Sequence, residues 1–352
     1  MKFRKAGLYW PDGILMIRKA LKILLCAILC LGIVGCAAKP VNVTYTVYPV
    51  GYLVKRISGN NIPCQSIQNE TIVQRATIVE NYKNILENSS LFIHIGDLEP
   101  YMTVYGDEIN KMESLTKLDL SGVNAVYNFQ RYTPVVNDGV VTYIEGPYYN
   151  DEAFDSVDID QKDLYLWTDP IAMLSMAKNI REELIKQDPE NQTYYEENCE
   201  RLIEDLVSLD ASYQSFATKL QNNGQNIKFV SMSASFGNWQ KTYGIQVYPV
   251  VLSKYGVLPN SQQLEVIKKR IVNDGVKYII YEPNMTDDMI ELFNELQKEL
   301  GLVRVELSNL SSLTPSQIES GKDYISIMYE NLSVLETMVS TNSTTATDNA
   351  EE

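Results

Sequence analysis

Apolar and polar positions follow two different periods along most of the chain. Residues 41–48 alternate between apolar and polar side chains, which predicts a β-strand. Further strands are predicted at 62–67, 91–95, 123–129, 140–144, 227–232, 276–281 and 302–307. Helices are predicted at 52–57, 80–87, 261–273, 287–300 and 323–338. Because strands and helices alternate, we expect an α/β fold with parallel sheets covered on both faces.

The middle of the chain predicts one unusually long helix. Asp188-Pro189 is a helix-start signal, as is Asp169-Pro170, because Asp can cap a helix and Pro suits its first turn. Apolar residues then recur at helical spacings, at Tyr195, Cys199, Leu202, Leu206, Tyr213, Phe216 and Leu220. A helix of about 32 residues spans roughly 48 Å, which exceeds the width of one small domain. We therefore expect two lobes, each with a mostly parallel sheet flanked by helices, joined by one long helix.

These patterns predict where each part of the chain begins and ends. We assign 1–36 to a signal peptide, 41–187 to an N-terminal α/β lobe and 188–222 to the bridging helix. A C-terminal α/β lobe follows at 223–339, and 340–352, which lacks apolar periodicity, is predicted to be disordered. A continuous helix cannot bend without losing backbone hydrogen bonds, so we expect it to limit hinge motion between the lobes.

The start of the chain has the pattern of an export signal. Arg18, Lys19 and Lys22 precede an uncharged apolar stretch at 23–34. This stretch is shorter than the about 20 residues that span a bilayer. It ends at Cys36 in a sequence that resembles a bacterial lipobox, whose cysteine is lipidated. We expect a protein anchored by Cys36 to the outer face of the cytoplasmic membrane; an ordinary signal peptide or an uncleaved anchor is the alternative.

Composition excludes several classes of function. The chain has 45 acidic and 30 basic residues, a net charge of −15, which argues against nucleic acid as a partner. With the signal and Cys36 set aside, Cys64 and Cys199 remain, and we predict that both are packed thiols. The single histidine, His94, excludes sites that need two histidines. Without a Walker A loop or a Gly-x-Ser-x-Gly turn, we do not expect an enzyme.

Several short motifs occur in an order that resembles the solute-binding proteins of zinc and manganese ABC transporters. They lie at 91–100, 163–170, 188–195, 229–237 and 281–283, and the resemblance covers about 41–337. It implies a two-lobed protein that captures a small solute or metal ion outside the membrane. It also implies ABC permease and ATPase subunits as partners. A divalent metal ion is then the candidate transported ligand, and no resident cofactor is expected.

The resemblance also implies four ligand positions, three of them usually histidine and the fourth Asp or Glu. Here they fall at Gln74, beside Arg75, and at Tyr165, Ser233 and Glu282. Only Glu282 is a residue of the type that the family has at that position. Zinc prefers nitrogen and sulfur ligands, whereas oxygen ligands suit manganese, magnesium or calcium. We predict Glu282 and Tyr165 as metal ligands, although Ser233 is a weak ligand and Arg75 would repel a cation. Three interpretations of the site remain: a cleft for a metal ion, a cleft for another small polar solute, or a degenerate site that binds no transported ligand.

Tyrosine is abundant in this chain, with 23 residues against 8 Phe. Tyr48, Tyr165 and Tyr281 lie at or near predicted strand ends. They can form a wall for an organic solute or serve in half-buried packing, which is favoured because no spacing selects them. We include Tyr48 among the candidate ligand-binding residues. His94 falls inside a predicted strand, so we predict that it is packed in the core.

Our leading hypothesis is a lipid-anchored, monomeric solute-binding component of a metal-type ABC transporter. The alternative is a surface interaction lipoprotein that kept the fold and lost transport. Permease and ATPase genes beside this gene would favour the first hypothesis, and their absence would favour the second.

Overall fold

The computed structural model describes residues 41–59, 61–69 and 71–348, with side chains described as far as 339. The predicted signal at 1–36, with Cys36, lies outside these ranges. Within them, no helix combines the length and apolarity needed to cross a membrane.

The first sheet contains four parallel strands in the order β2, β1, β3, β4. Its strands are β1 Val43–Tyr45, β2 Cys64–Ser66, β3 Leu91–His94 and β4 Thr116–Asp119. The helices among them are α1 Tyr48–Ser58, α2 Tyr82–Glu87 and α3 Pro100–Asn110. In the register of the sheet, Thr44 of β1 faces Gln65 on one side and Phe92 on the other. Strands β1, β2 and β3 lie where the sequence predicts strands, but each is shorter than predicted.

A two-stranded antiparallel hairpin follows, made of β5 Arg131–Asn137 and β6 Val140–Gly146. Its turn residues, Asp138 and Gly139, both have positive φ, as a two-residue hairpin turn of this hand requires. The prediction of a strand at 123–129 is wrong. A 3₁₀ turn occupies Ser121–Val123, and among the described residues the rest of that segment has one isolated bridge, between Asn128 and Lys162.

Two consecutive helices follow the hairpin along the chain, and the second of them connects the lobes. The first, α4, is Pro170–Gln187, and Asp169 caps it by accepting a 2.8 Å hydrogen bond from the Ile171 N–H. The second, α5, is Gln192–Asn222, a helix of 31 residues.

Helix α5 binds one lobe with its first half and the other with its second half. Asn198 Nδ2 donates to the Ile57 carbonyl of α1 at 2.9 Å. Further along, the Tyr213 hydroxyl donates to the Met328 carbonyl, in a C-terminal helix, at 2.8 Å. The prediction of one long helix joining two α/β lobes is therefore confirmed.

The second sheet also contains four parallel strands, in the order β10, β9, β7, β8. Its strands are β7 Lys228–Ser231, β8 Gln246–Pro249, β9 Tyr278–Tyr281 and β10 Val303–Glu306. The helices of this lobe are α6 Asn238–Tyr243, α7 Ser261–Asn273, α8 Asp287–Leu300, α9 Pro315–Glu319 and α10 Tyr324–Asp348. The base of the hairpin is anchored to this sheet, because Arg131 Nη2 donates to the Tyr248 hydroxyl of β8 at 2.9 Å.

The last helix, α10, continues to Asp348. The helix therefore runs past its predicted end at 338, and the disorder predicted for 340–352 stays a prediction. The segment 339–348 contains neither Gly nor Pro, so no residue in it forces the helix to end.

The largest apolar cluster runs from the inner face of the first sheet across α5 into the second lobe. Ile93, Leu206 and Ile280 all belong to it. Phe92 lies on the opposite face of β3 in a separate cluster, because neighbouring strand residues point to opposite faces. Both sheets are thus covered on two sides, as expected for parallel sheets.

Candidate functional site

The carboxyl edges of the two sheets meet at the boundary between the lobes. In the loop after β2, Gln74 donates to the Ser253 carbonyl, which follows β8, at 3.1 Å. After β1, the Tyr48 N–H donates to the Ser311 carbonyl, which follows β10, at 3.4 Å. Ligands of open parallel sheets bind at the carboxyl ends of strands, so this boundary is the candidate site.

Glu282 is the centre of the C-terminal edge. It follows β9 directly, and its side chain is fully buried. Its carboxylate accepts hydrogen bonds from the Ser233 N–H at 2.8 Å, from the Ser233 hydroxyl, and from Asn309 Nδ2 at 2.7 Å. Ser233 follows β7 and Asn309 follows β10, so Glu282 ties together the ends of three neighbouring strands.

The environment of Glu282 acts on its pKa in two directions. Burial raises the pKa above its ordinary value, while the hydrogen bonds from Ser233 and Asn309 act to lower it. All the donors around this carboxylate are neutral groups. The chain itself thus occupies the oxygens that a bound cation would need.

Sequence reasoning missed Asn309. Its Oδ1 accepts from Asn284 Nδ2 at 3.0 Å and from the Ser311 N–H at 3.0 Å, so it also organises the loop after β10. One signal was available: Asn309 follows a predicted strand as Glu282 does, and neighbouring parallel strands end at one edge.

Tyr165 is almost fully buried beside this edge. Its carbonyl accepts from Asn238 Nδ2 at 3.1 Å, and its ring packs edge-on against Trp167 with centroids 5.4 Å apart. Burial and the nearby carboxylates of Asp160, Asp163 and Glu282 raise the pKa of Tyr165 well above its ordinary value. Tyr165 therefore shares the electrostatic environment of Glu282 but stays protonated, which disfavours a phenolate ligand.

Gln74 and Arg75 meet the other lobe at a different place. Gln74 Nε2 donates to the Val251 and Ser253 carbonyls at 3.1 Å each, and its Oε1 is buried without a partner among the described residues. Arg75 Nη2 pairs with Asp288 Oδ2 at 2.8 Å. Within the described part of the chain, neither side chain is hydrogen-bonded to the group around Glu282.

The remaining aromatic candidates make packing contacts. The Tyr48 ring lies 6.4 Å from that of Tyr52, and Arg304 covers the Tyr281 ring at 3.8 Å. His94 is half-buried, hydrogen-bonded through Nδ1 to the Gly96 carbonyl at 2.8 Å, and stacked on the Phe92 ring. His94 is thus the last residue of β3 and only half-buried, which departs from the prediction of a residue packed in the core.

The N-terminal edge contains a second buried glutamate, Glu99, which sequence reasoning quoted in a motif but did not assign to the site. Glu99 precedes α3 and is fully buried, and neither of its carboxylate oxygens has a hydrogen-bond partner among the described residues. Burial raises its pKa from 4.5 to about 7. The hydroxyl of Thr46, which follows β1, is buried close enough to Glu99 to act against the rise of its pKa, but it forms no well-aligned hydrogen bond within the described ranges.

Asp163 adds a third buried carboxyl on the segment that leads to Tyr165. It accepts a hydrogen bond from the Tyr165 N–H at 3.1 Å, and burial raises its pKa to about 7. Asp163 is the last acidic residue of the stretch 151–163, and it is buried.

The donor set at the four implied positions does not fit zinc. Zinc sites use nitrogen and sulfur ligands in tetrahedral arrangement, and none of the four residues offers a histidine or a thiolate. Across the described ranges, no three His, Cys, Asp or Glu side chains are placed to hold a metal ion. The assignment of Glu282 and Tyr165 to an oxygen-favouring metal stays a prediction.

Comparisons with known proteins give relatives for this architecture. The zinc-binding protein AdcA of Streptococcus pyogenes serotype M3 is 25% identical over 301 residues, which cover 84% of this chain and 55% of AdcA. The high-affinity zinc uptake system protein ZnuA of Bacillus subtilis is 29% identical over 173 residues, covering 49% of this chain and 52% of ZnuA. The chain thus spans about half the length of the curated relatives it matches.

Solved structures agree in fold. The Zn(II)-bound ZnuA-like domain of Streptococcus pneumoniae AdcA matches with a TM-score of 0.62 at 21% identity, over 84% of this chain and 98% of that domain. The laminin-binding protein of Streptococcus agalactiae matches with a TM-score of 0.64 at 18% identity, over 84% of this chain and 98% of that protein. That protein is described as having adhesin and metal transporting activity.

A family model described as zinc-uptake complex component A, periplasmic, matches residues 43–338. This match covers nearly all of both lobes and the long helix between them. The chain therefore belongs to the zinc-uptake complex component A (ZnuA) family.

Proposed function

We propose that this protein is the extracytoplasmic solute-binding component of a metal-type ABC importer. It captures a small ligand between its lobes and delivers it to permease and ATPase subunits. The observation that carries the proposal is the meeting of two parallel-sheet carboxyl edges at one boundary, in a chain of this family. The relatives AdcA and ZnuA are named for zinc binding and zinc uptake, which supports transport of a metal.

The residues at the candidate site limit which ligand this protein can bind and deliver. Gln74, Tyr165 and Glu282 offer oxygen atoms, and Ser233 offers a hydroxyl, so a hard cation such as manganese suits them better than zinc. A small polar organic solute is the alternative cargo, for which Tyr48 and Arg75 would supply additional contacts. Either cargo must compete with the hydrogen bonds that Ser233 and Asn309 already give Glu282.

The proposal includes the placement of the protein. A lipid on Cys36 would hold it to the outer face of the membrane, as a monomer with lobes at 41–187 and 223–339. It would act by binding and release, without catalysing a reaction.

Reconstitution tests this function directly. The full-length protein, added to proteoliposomes that contain a metal-type ABC permease and ATPase from the same organism, should raise ATP hydrolysis several-fold. The Arg56→Ala variant is a folded control that should stimulate as well as the wild-type protein, because Arg56 pairs with Asp205 of α5 and not with a candidate ligand residue. No stimulation by the wild-type protein, with or without manganese, would overturn the proposal.

One observation favours a second candidate, a surface interaction role without transport. Glu282 has the residue type that the family has at its fourth ligand position, but its carboxylate already accepts hydrogen bonds from other residues of the chain. The related Streptococcus agalactiae protein is described as an adhesin as well as a metal transporter. Absence of stimulation together with absence of permease genes nearby would support this candidate.

A further inference from the structure

The loop after β2 reaches across the lobe boundary and binds the other lobe directly. We call these contacts the clasp, formed by Thr71, Gln74 and Arg75 on one side and 251–256, Asp288 and Ser311 on the other. Gln74 supplies two buried hydrogen bonds and Arg75 one ion pair. The Ser311 hydroxyl adds a weaker one, to the Thr71 carbonyl at 3.4 Å.

Gly256 shows how closely the two sides of the clasp approach. It has a φ of +65°, and a Cβ built on it would lie 2.6 Å from Arg75 Nε and 2.8 Å from Arg75 Cδ. Only glycine satisfies both the backbone conformation and the contact. The stem of Arg75 therefore lies against the Gly256 backbone while its guanidinium reaches Asp288.

A second set of bonds between the same parts of the molecule is more deeply buried. Trp167 Nε1 donates to the Asn309 carbonyl at 2.8 Å, and Trp239 Nε1 donates to the Thr168 carbonyl at 2.9 Å. By contrast, the side chains of the Arg75–Asp288 pair are 32% and 45% exposed. Local opening begins where polar contacts reach solvent, so the clasp opens before the tryptophan contacts do.

We propose that the clasp closes the lobes through the chain's own side chains, so that closure requires no bridging ligand, and that Arg75 with Asp288 is its release point. The inference rests on the proposed function only in assigning the cleft to solute capture. Each bond of the clasp joins protein groups directly, and its two buried members end on backbone carbonyls.

Hydrogen–deuterium exchange of the full-length protein, followed by mass spectrometry, tests the clasp. Arg75→Ala and Asp288→Ala should each speed exchange of 71–76 and 250–256 by about tenfold, because both sides lose their cross-lobe contact. The double variant should exchange no faster than either single variant, since the two residues act as one pair. Half-molar salt should reproduce part of the effect, because the pair is partly exposed.

The chain offers a matched control. Arg56 and Asp205 form an ion pair of 2.6 Å with side chains 29% and 49% exposed, but this pair joins α1 to α5. Arg56→Ala should leave exchange of 71–76 and 250–256 unchanged. Unchanged exchange in Arg75→Ala, or an equal effect of Arg56→Ala, would overturn the clasp.

The two proposals fail separately. ATPase stimulation without an exchange effect in Arg75→Ala would remove the clasp and keep the transport function. The exchange effect without ATPase stimulation would keep the clasp and remove the transport function.

Discussion

Two fully buried glutamates stand at the facing edges of the two sheets, and their surroundings differ. Glu282, at the C-terminal edge, accepts bonds from Ser233 and Asn309. Glu99, at the N-terminal edge, has no partner for either oxygen among the residues described, and its pKa is raised to about 7. The same residue type at equivalent places is therefore a structural anchor in one lobe and a neutral-pH titrating group in the other.

The two glutamates differ because the neighbouring strand ends supply them with different numbers of hydrogen-bond donors. At the C-terminal edge, the loop after β7 contributes a backbone N–H and a hydroxyl from Ser233, and the loop after β10 contributes an amide from Asn309. At the N-terminal edge, the nearest strand end supplies only the hydroxyl of Thr46. A buried carboxylate without donors holds its proton more tightly, because burial penalises the charged form.

Replacing Glu282 should have the largest effect. Glu282→Ala removes the acceptor of three buried donors, and we expect it to lower the free energy of unfolding by about 4 kcal/mol. Urea unfolding at neutral pH measures the loss. Glu282→Gln, which keeps one acceptor oxygen, should lose about half as much. A loss under about 1 kcal/mol in Glu282→Ala would show that the anchor is dispensable.

Glu99 should make stability depend on pH in the opposite sense to an ordinary carboxylate. Its folded pKa of about 7 lies above its ordinary value of 4.5, so the folded state binds the proton more tightly. The resulting stabilisation is full below pH 4.5 and is lost as the pH rises to about 7, a change on the order of 3 kcal/mol.

Glu99→Gln should remove this contribution and flatten the stability profile between pH 5 and 8. Thermal unfolding of both proteins across that range measures the difference. Asp163, whose pKa is also raised to about 7, contributes a slope of the same sign in both proteins and so cancels in the comparison. Identical profiles would mean that solvent or another group satisfies Glu99.

Removing one hydroxyl from each edge sharpens the comparison further. Ser233→Ala deletes a hydroxyl that is bonded to Glu282, and should cost about 1–2 kcal/mol in urea unfolding. The Ser235 hydroxyl, 2.8 Å from that of Ser233, can replace part of the lost contact. If Ser233→Ala leaves the free energy of unfolding unchanged, the Ser233 N–H and Asn309 stabilise Glu282 without the hydroxyl.

The matching change at the other edge should have the smallest effect. Thr46→Val keeps the shape of the side chain and deletes a hydroxyl that lies near Glu99 but forms no well-aligned hydrogen bond among the described residues, so stability should change by less than about 0.5 kcal/mol. The same urea experiment measures it. A cost equal to that of Ser233→Ala would erase the proposed difference between the edges.

Much of the fold could be predicted because its signals are local. The predicted bounds of α7 and α8, 261–273 and 287–300, agree with the structure at both ends. Asn260 caps α7 by accepting from the Gln263 N–H, and Gly301 ends α8 with positive φ. Strands have weaker end signals, so the predicted 41–48 shrinks to Val43–Tyr45.

The site was harder to predict because its partners are far apart in the chain. Glu282 could be found because it follows an apolar strand inside a recognised motif. Its partner Asn309 is 27 residues away, and no spacing rule connects the two. The burial of Glu99 likewise depends on tertiary packing, which the motif at 91–100 does not reveal.

The chain's own donors already occupy Glu282, so we propose that this protein does not hold zinc through the ligand set that is usual in its family. Elemental analysis of the full-length protein, purified without a histidine tag and equilibrated with zinc, tests it most directly. We expect no stoichiometric zinc. One zinc per chain in the wild-type protein, and none in Glu282→Ala, would contradict it.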